Sequence, residues 1–487
     1  MYDFLQVYCC LLYYSSLIST LIITPVVYMF HLKYIRDKLY PKTILNLIRR
    51  KSSTNTHTSN TTSDVVTTEI PHSNTLIPWA IQSAFKSHHI THADGCYLYN
   101  GDKKIMDFTS GLMVVNLGHN NPRIKDGFKQ HLDTGVAYTS SLFEHGQREK
   151  LSTRLVEITG NPGGKVFYTN GGGDSNETAV FITHEYHKFY KDEKRLRVLS
   201  FEKSFHGGST IGATLLTGDD RKSAKESFYS LPFESIMPNP DLSDDGTESL
   251  VQIKKLFESD DIASIIIEGS SGSASCIPYP EGYLKKLEKM CREKGILLIC
   301  DEVMSGWGRT GTLFAYEKHG IKPDIITTAK AFTSGYVPFG GVIMTKDIAA
   351  IYDSKMFIHG LTYFAHPLAC TIANTCLDIY LDNDQAIIKE ANRKGVLLTK
   401  LGNELVEESP IVSTYMNNGL LGRIELTTTN NDVLAKIISD LFDNGIFCFR
   451  RKNLFFTAPP LIITDKELTD SMQIIKKILC KDVYDMK

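Results

Sequence analysis

Six short stretches between residues 165 and 344 are dominated by apolar and β-branched residues: Lys165 to Tyr168, Arg197 to Phe201, Ala263 to Ile267, Gly295 to Cys300, Asp324 to Thr327 and Gly341 to Met344. Regular polar alternation is missing, so they predict strands buried on both faces. Between them, Ser175 to Lys188 and Gly282 to Lys294 repeat apolar residues at three- and four-residue spacing, the pattern of helices with one buried stripe. Alternating strands and helices predict βαβ units, a mostly parallel central sheet flanked by helices, and an α/β fold. Beyond residue 380 the pattern becomes helix-rich, with weaker strands at Gly422 to Leu426 and Leu454 to Thr457. That change predicts a smaller α+β C-terminal domain. The expected divisions are 76–140 for the first part of the body, 141–380 for a large domain and 381–487 for the small one.

The chain ahead of the body reads differently. From Phe4 to Phe30 there is no Asp, Glu, Lys or Arg. As a helix this run would be about 40 Å long, against about 30 Å of membrane hydrocarbon. Residues 1–32 are therefore expected to form a hydrophobic helix outside the fold and a membrane anchor. The basic residues that follow, Lys33, Arg36, Lys38, Lys42, Arg49, Arg50 and Lys51, would hold the body on the cytosolic side. Translation from Met29 would instead leave a basic, Ser/Thr-rich leader resembling a mitochondrial transit segment, or a soluble cytoplasmic chain. Residues 33–75 complete the lead-in, and Ser52 to Thr68 within them is polar low complexity, a linker with no core of its own.

Composition narrows the function classes. The chain has 487 residues, 42% of them hydrophobic, and a net charge of −2, which excludes a wholly disordered chain and gives no sign of a nucleic-acid partner. Its cysteines are scattered without metal-ligand spacing, so reduced thiols and no metal site are expected.

In parallel sheets chemistry collects where strands end. Tyr168-Thr169-Asn170-Gly171-Gly172-Gly173 closes one strand and opens a helix, which aims backbone N–H groups at an anion. It lacks the glycine spacing of a dinucleotide fold and the Gly-Lys-Ser/Thr of a P-loop. Asn176 opens an Asn-x-Thr sequon, and a sugar there would block the cradle. Leu297 to Val303 ends a strand in two carboxylates, Asp301 and Glu302. The next strand ends at Lys330, and Ser204-Phe205-His206-Gly207 follows the Arg197 strand with an aromatic face. Each feature alone also fits a plain turn, a helix cap, an exposed lysine or a core ring. Together they meet the needs of pyridoxal 5'-phosphate: an amine to bond its aldehyde, a carboxylate for its pyridine nitrogen, an anion cradle and an aromatic lid.

The run Asp301-Glu302-Val303-Met304-Ser305-Gly306-Trp307-Gly308-Arg309-Thr310-Gly311, then Pro323-Asp324-Ile325 and Ala329-Lys330, resembles the central signature of the class III aminotransferases, which are fold-type I pyridoxal phosphate enzymes. The likeness extends from about Trp79 to Thr464. It implies that Lys330 bonds the cofactor aldehyde and shuttles protons, and that Asp301 faces the pyridine nitrogen. It also implies that Phe205 stacks on the ring with His206 beside it, that Gly172 and Gly173 bind phosphate, and that Glu268 stands near the cofactor. Gly360 to Pro367 resembles a loop whose threonine, here Thr362, reaches the phosphate of a neighbouring subunit. A homodimer with shared sites is thereby implied.

Two departures bear on substrate. The family often has an arginine just before the Phe-Ala-Pro-Pro segment, whereas Phe455 to Pro460 carries none, and Met416-Asn417-Asn418 stands where an Arg-Gly often precedes Gly419-Leu420. Without a bidentate guanidinium the best carboxylate clamp is lost, leaving Arg423, Arg450, Arg451 or no arginine to serve. The expected reaction is a ping-pong transamination from an ω-amino acid or amine to a small 2-oxo acid such as pyruvate. A decarboxylase or aminomutase would share the same cofactor residues, and a membrane-anchored scaffold without turnover is the remaining alternative. Ala365, where glycine is usual, is expected to constrain its loop.

Overall fold

The apolar stretches become one seven-stranded sheet in the computed structural model, which describes residues 74–83, 87–191, 194–218, 234–272, 276–481 and 484. A small antiparallel ribbon precedes it, made of β1 (His92–Asp94), β2 (Tyr97–Asn100) and β3 (Lys103–Asp107). The large sheet contains β4 (Lys165–Thr169), β5 (Arg197–Phe201), β6 (Glu234–Met237), β7 (Ile262–Glu268), β8 (Leu297–Asp301), β9 (Ile325–Thr328) and β10 (Gly340–Met344), in the order β4-β10-β9-β8-β7-β5-β6. Every residue of β7, β8, β9 and β10 is buried, as continuous apolar strands require.

One strand departs from the parallel expectation. β10 pairs antiparallel with both β4 and β9. Between β9 and β10 lies a short connection carrying only a 3₁₀ turn, Lys330–Phe332, too little for the helical crossover that a parallel return needs. The other strands run the same way, so the carboxyl ends of β4, β5, β7, β8 and β9 share one edge. β10 starts at that same edge, opposite Thr169, where a Cβ on Gly340 would stand 2.5 Å from Thr169 Oγ1 and 2.7 Å from Ser175 Oγ, so the strand entry accepts glycine only.

The C-terminal part holds a four-stranded antiparallel sheet, β11 (Val412–Asn418), β12 (Leu421–Leu426), β14 (Arg450–Arg451) and β15 (Leu454–Thr457), in the order β11-β12-β15-β14. β13 (Ile446–Phe447) instead joins β3 in parallel, so the chain's later part completes the first ribbon. Contacts gather Ser73–Lys487 into one compact unit. We retain the division at 380/381 as a proposal, supported by the long helix Pro367–Glu408, whose backbone leaves helical geometry from Asp382 to Gln385.

The membrane reading is corrected. Among the described residues no helix is long and apolar enough to cross a membrane. The longest, Pro367–Glu408, has a polar outer face dotted with Asp, Glu, Lys and Arg. The apolar segment proposed as the anchor, and almost all of the linker after it, lie outside the described residues. A cytosol-facing, membrane-anchored placement therefore has no support in the fold. All the described cysteines are free thiols, in agreement with the sequence reading.

Ala365 is buried at φ +47°, in the left-handed region. A side chain there costs about 1–2 kcal/mol. Ala365→Gly is expected to raise stability by about 1 kcal/mol, read as a higher denaturant midpoint at unchanged slope; a lower midpoint would show that the lost methyl packing outweighs the strain.

Candidate active site

The shared strand edge opens into a cavity of about 590 Å³. Gly172, Gly173, Phe205, His206, Glu268, Asp301 and Lys330 all line it, so the fold gathers seven of the eight residues singled out from sequence. Thr362 is absent from the lining and sits on an exposed loop, where its carbonyl accepts a hydrogen bond from Tyr138.

The floor is the turn from β4 into the helix Gly172–Tyr186. Gly171 is its N-cap and has no side chain to satisfy the first-turn N–H groups, which stay available to an anion. The helix is seated by Ser175, whose hydroxyl lies 2.7 Å from Thr169 Oγ1 and shares its one proton between the Gly171 and Thr328 carbonyls at 3.0 and 3.1 Å. Close packing explains the glycines. A Cβ on Gly172 would lie 2.6 Å from Val303 Cγ1, and one on Gly173 would lie 2.9 Å from Ser209 Oγ. These positions leave backbone where side chains would fill the cradle.

Asp301 ends β8 beside Glu268 of β7 and Thr327 of β9, its register partners. Its Oδ2 accepts hydrogen bonds from Asn176 Nδ2 at 2.7 Å and His206 Nδ1 at 2.8 Å, and its Oδ1 accepts from the Val303 N–H at 3.0 Å. Glu302, the second carboxylate of the pair, turns the other way, as side chains alternate along a strand. It is wholly buried and accepts from Ser305 Oγ, the Ala315 N–H and the Tyr316 N–H. Burial raises its pKa to about 7, against the pull of those donors. Glu302 thus ties down the chain after β8 and takes no part in the cavity lining.

Lys330 projects from the tight turn after β9, with φ at +49°. Strain of that kind persists only where neighbours over-determine it. Here Trp307 donates from Nε1 to Thr328 Oγ1 at 2.7 Å and stacks on Phe332, whose ring also stacks on Phe339, while the Tyr380 hydroxyl donates to the Ala331 carbonyl at 2.8 Å. Much of the Gly-Trp-Gly-Arg signature therefore supports the lysine from below. Arg309, fully buried, donates to the Leu420 and Pro459 carbonyls, Ser110 Oγ and Asn116 Oδ1, and so clamps the two ends of the body onto the centre. Burial pulls its pKa down to about 10.

These features match known proteins along most of the chain. The family model of class III aminotransferases covers residues 81–479. The chain belongs to the class III aminotransferases. The aminotransferase is 32% identical over 390 residues to the acetylornithine aminotransferase of Bacillus cereus, covering 78% of this chain and 92% of that one. To the omega-aminotransferase of Caulobacter vibrioides it is 29% identical, covering 83% and 96%. Among solved structures it resembles the taurine:2-oxoglutarate aminotransferase of Bifidobacterium kashiwanohense in complex with pyridoxal phosphate and glutamate, with TM-score 0.77, 31% identity and coverage of 83% and 94%. The cofactor of the aminotransferase is pyridoxal phosphate, and the cavity fits it: glycine backbone at a helix N-terminus for the phosphate, a buried carboxylate, an aromatic face and an amine.

Sequence reasoning missed Asn176 as a part of the site. It saw only a sequon there, and the residue is 1% exposed, which denies a glycan access. Trp79 and Met304 also line the cavity, and Trp79 meets Phe205 edge-on at 6.3 Å between ring centres.

Proposed function

We propose that this aminotransferase takes its amino group from an amine or ω-amino acid and gives it to a small 2-oxo acid such as pyruvate in a ping-pong cycle. In this reading Lys330 Nζ would hold the cofactor at its aldehyde and, as base and acid, would carry a proton to and from the substrate carbon. Asp301 would hold the pyridine nitrogen, Gly172 and Gly173 the phosphate, and Phe205, His206 and Glu268 would border the cofactor. Pyridoxal phosphate, when bound, supplies the electron sink for carbanion chemistry.

The lining supports the donor class. Among the described residues no arginine borders the cavity. Arg423 is buried in an ion pair with Glu425, and Arg450 donates to the Lys452 carbonyl at 2.8 Å. The apolar part of the lining comes from Trp79, Val114, Val303, Met304, Val337 and Phe339, and Met304 belongs in turn to a buried cluster with Met113, Leu421 and Phe456. The missing guanidinium weakens the hold on any carboxylate there, the acceptor's included, so what it supports is a donor that needs no α-carboxylate clamp of its own. We also propose a homodimer in which Thr362 serves the other subunit's phosphate. Its loop is exposed, and Met356, Ile358 and Tyr363 on it are 82%, 69% and 58% accessible, an apolar face of the kind that interfaces cover.

The test uses one preparation. With pyruvate as acceptor, apolar primary amines and ω-amino acids should turn over faster than N-acetylornithine or ornithine, and a donor alone should yield one carbonyl product per site. N-acetylornithine outpacing the amines by about tenfold would return the reading to α-carboxylate donors. Light scattering should give a two-chain mass; a one-chain mass would remove the shared-site part.

A further inference from the structure

One buried amide connects the elements that carry the chemistry. Asn176 lies in the second turn of the helix Gly172–Tyr186, behind the glycine cradle. Its Nδ2 donates to Asp301 Oδ2 and to the His206 carbonyl, each at 2.7 Å, and its Oδ1 accepts from Thr327 Oγ1 at 2.6 Å. The three partners belong to three other segments: the end of β8, the loop bearing Phe205, and β9 three residues before Lys330.

We infer that Asn176 is the positioning residue of the site, whose amide sets the angle of the Asp301 carboxylate and registers the Phe205-His206 loop and the Lys330 strand against the phosphate cradle. The inference rests on the cofactor assignments above and adds a role for a buried residue of the cavity lining that grips Asp301.

The donor count makes the arrangement one-way. An amide has two N–H donors and one carbonyl acceptor. Both donors meet groups that can only accept, and the carbonyl meets a hydroxyl that can donate. Flipping the amide would set its oxygen against the His206 carbonyl and the Asp301 carboxylate, two acceptors, so a single orientation survives. Asp301 Oδ2 also receives His206 Nδ1, so the amide and the imidazole grip the same oxygen. Its partners are themselves deeply buried, Thr327 at 0%, His206 at 2% and Asp301 at 4% exposure, and water cannot stand in for a lost bond without opening the packing. The network holds Asp301 to one geometry because the amide's two donors and its carbonyl are all paired; His206 Nε2, on the far side of the imidazole, is buried with no hydrogen-bond partner among the described residues.

Two variants test this on the holoenzyme. Asn176→Asp keeps the shape but replaces a donor with an acceptor opposite Asp301 and the His206 carbonyl. Thr327→Val keeps the other side's shape and deprives the amide oxygen of its only donor among the described residues. For Asn176→Asp, pyridoxal phosphate affinity should fall about ten- to a hundredfold, and the visible circular dichroism of the bound cofactor, normalised to its absorbance, should shrink. The affinity loss should deepen as pH rises from about 5 to about 8, when a second carboxylate beside the first ionises. Thr327→Val should move the visible signal in the same direction by a smaller amount, without that pH dependence. A role confined to packing would lower the melting temperature and leave the visible signal of the cofactor-loaded fraction alone. If Asn176→Asp does not fold, Thr327→Val decides. Wild-type affinity and wild-type visible signal in a folded variant overturn the inference. A wild-type protein that takes up no pyridoxal phosphate would fail earlier, on the cofactor assignments themselves.

Discussion

Lys330→Ala should lose transamination by about four orders of magnitude, the upper end of what a positioned proton-transfer group contributes. The variant should also lose every borohydride-stable link to pyridoxal phosphate, while the wild-type label maps to the peptide carrying Lys330. The reason lies in where the amine stands. Lys330 is placed by a strained turn gripped by Trp307, Phe332, Phe339 and Tyr380, and it borders the same cavity as Asp301 and the glycine cradle. None of those supports uses the lysine side chain, so the variant should fold and still hold cofactor non-covalently. Added small amines should restore part of the rate, because the missing function is a mobile base in an otherwise formed site. Turnover within about tenfold of wild type, or a borohydride label on another lysine, would remove Lys330 from its role.

How much of this was legible beforehand differs from residue to residue. The strand bounds were: the run Lys165 to Tyr168 became Lys165–Thr169, and Arg197 to Phe201 kept its limits. Such runs are visible because burial on both faces leaves no room for polar residues. The mostly parallel reading leaves room for the antiparallel β10, whose direction is dictated by its short approach from β9. The strand pattern alone left Asp301 and Glu302 as two carboxylates at a strand end and the resemblance singled out Asp301; alternation along a strand, which sends neighbours to opposite faces, gives the physical reason for that choice. Asn176 was out of reach. Its partner Asp301 is 125 residues away, and Thr327 is 151 away, so only the folded sheet brings the three together. Arg309 is a similar case, a member of the matched signature whose work is to clamp Ser110, Asn116, Leu420 and Pro459. The apolar run near the amino terminus misled because a charge-free stretch says what a segment could cross, while the folded body contains no membrane-crossing helix among its described residues.

Asp301→Ala should keep pyridoxal phosphate, since the cradle and Lys330 are untouched, yet lose about a hundred- to a thousandfold in kcat, the scale on which removing one preorganised charge-stabilising group is felt. A carboxylate at the end of β8 can act this strongly because it is fixed before any substrate arrives. Three donors, Asn176 Nδ2, His206 Nδ1 and the Val303 N–H, hold both of its oxygens, and only 4% of the residue is exposed. Water therefore neither screens it nor reorganises during the reaction. Asp301→Asn separates charge from shape. It keeps the volume but puts an NH₂ group into a nest of donors or towards the ring, so it should be about as slow as the alanine variant. Asp301→Glu keeps the charge but moves it by a methylene and should recover part of the rate. Near-wild-type kcat in Asp301→Asn would show that charge at this position is not what assists the reaction, and attention would pass to Glu268, its neighbour across the β7–β8 pairing.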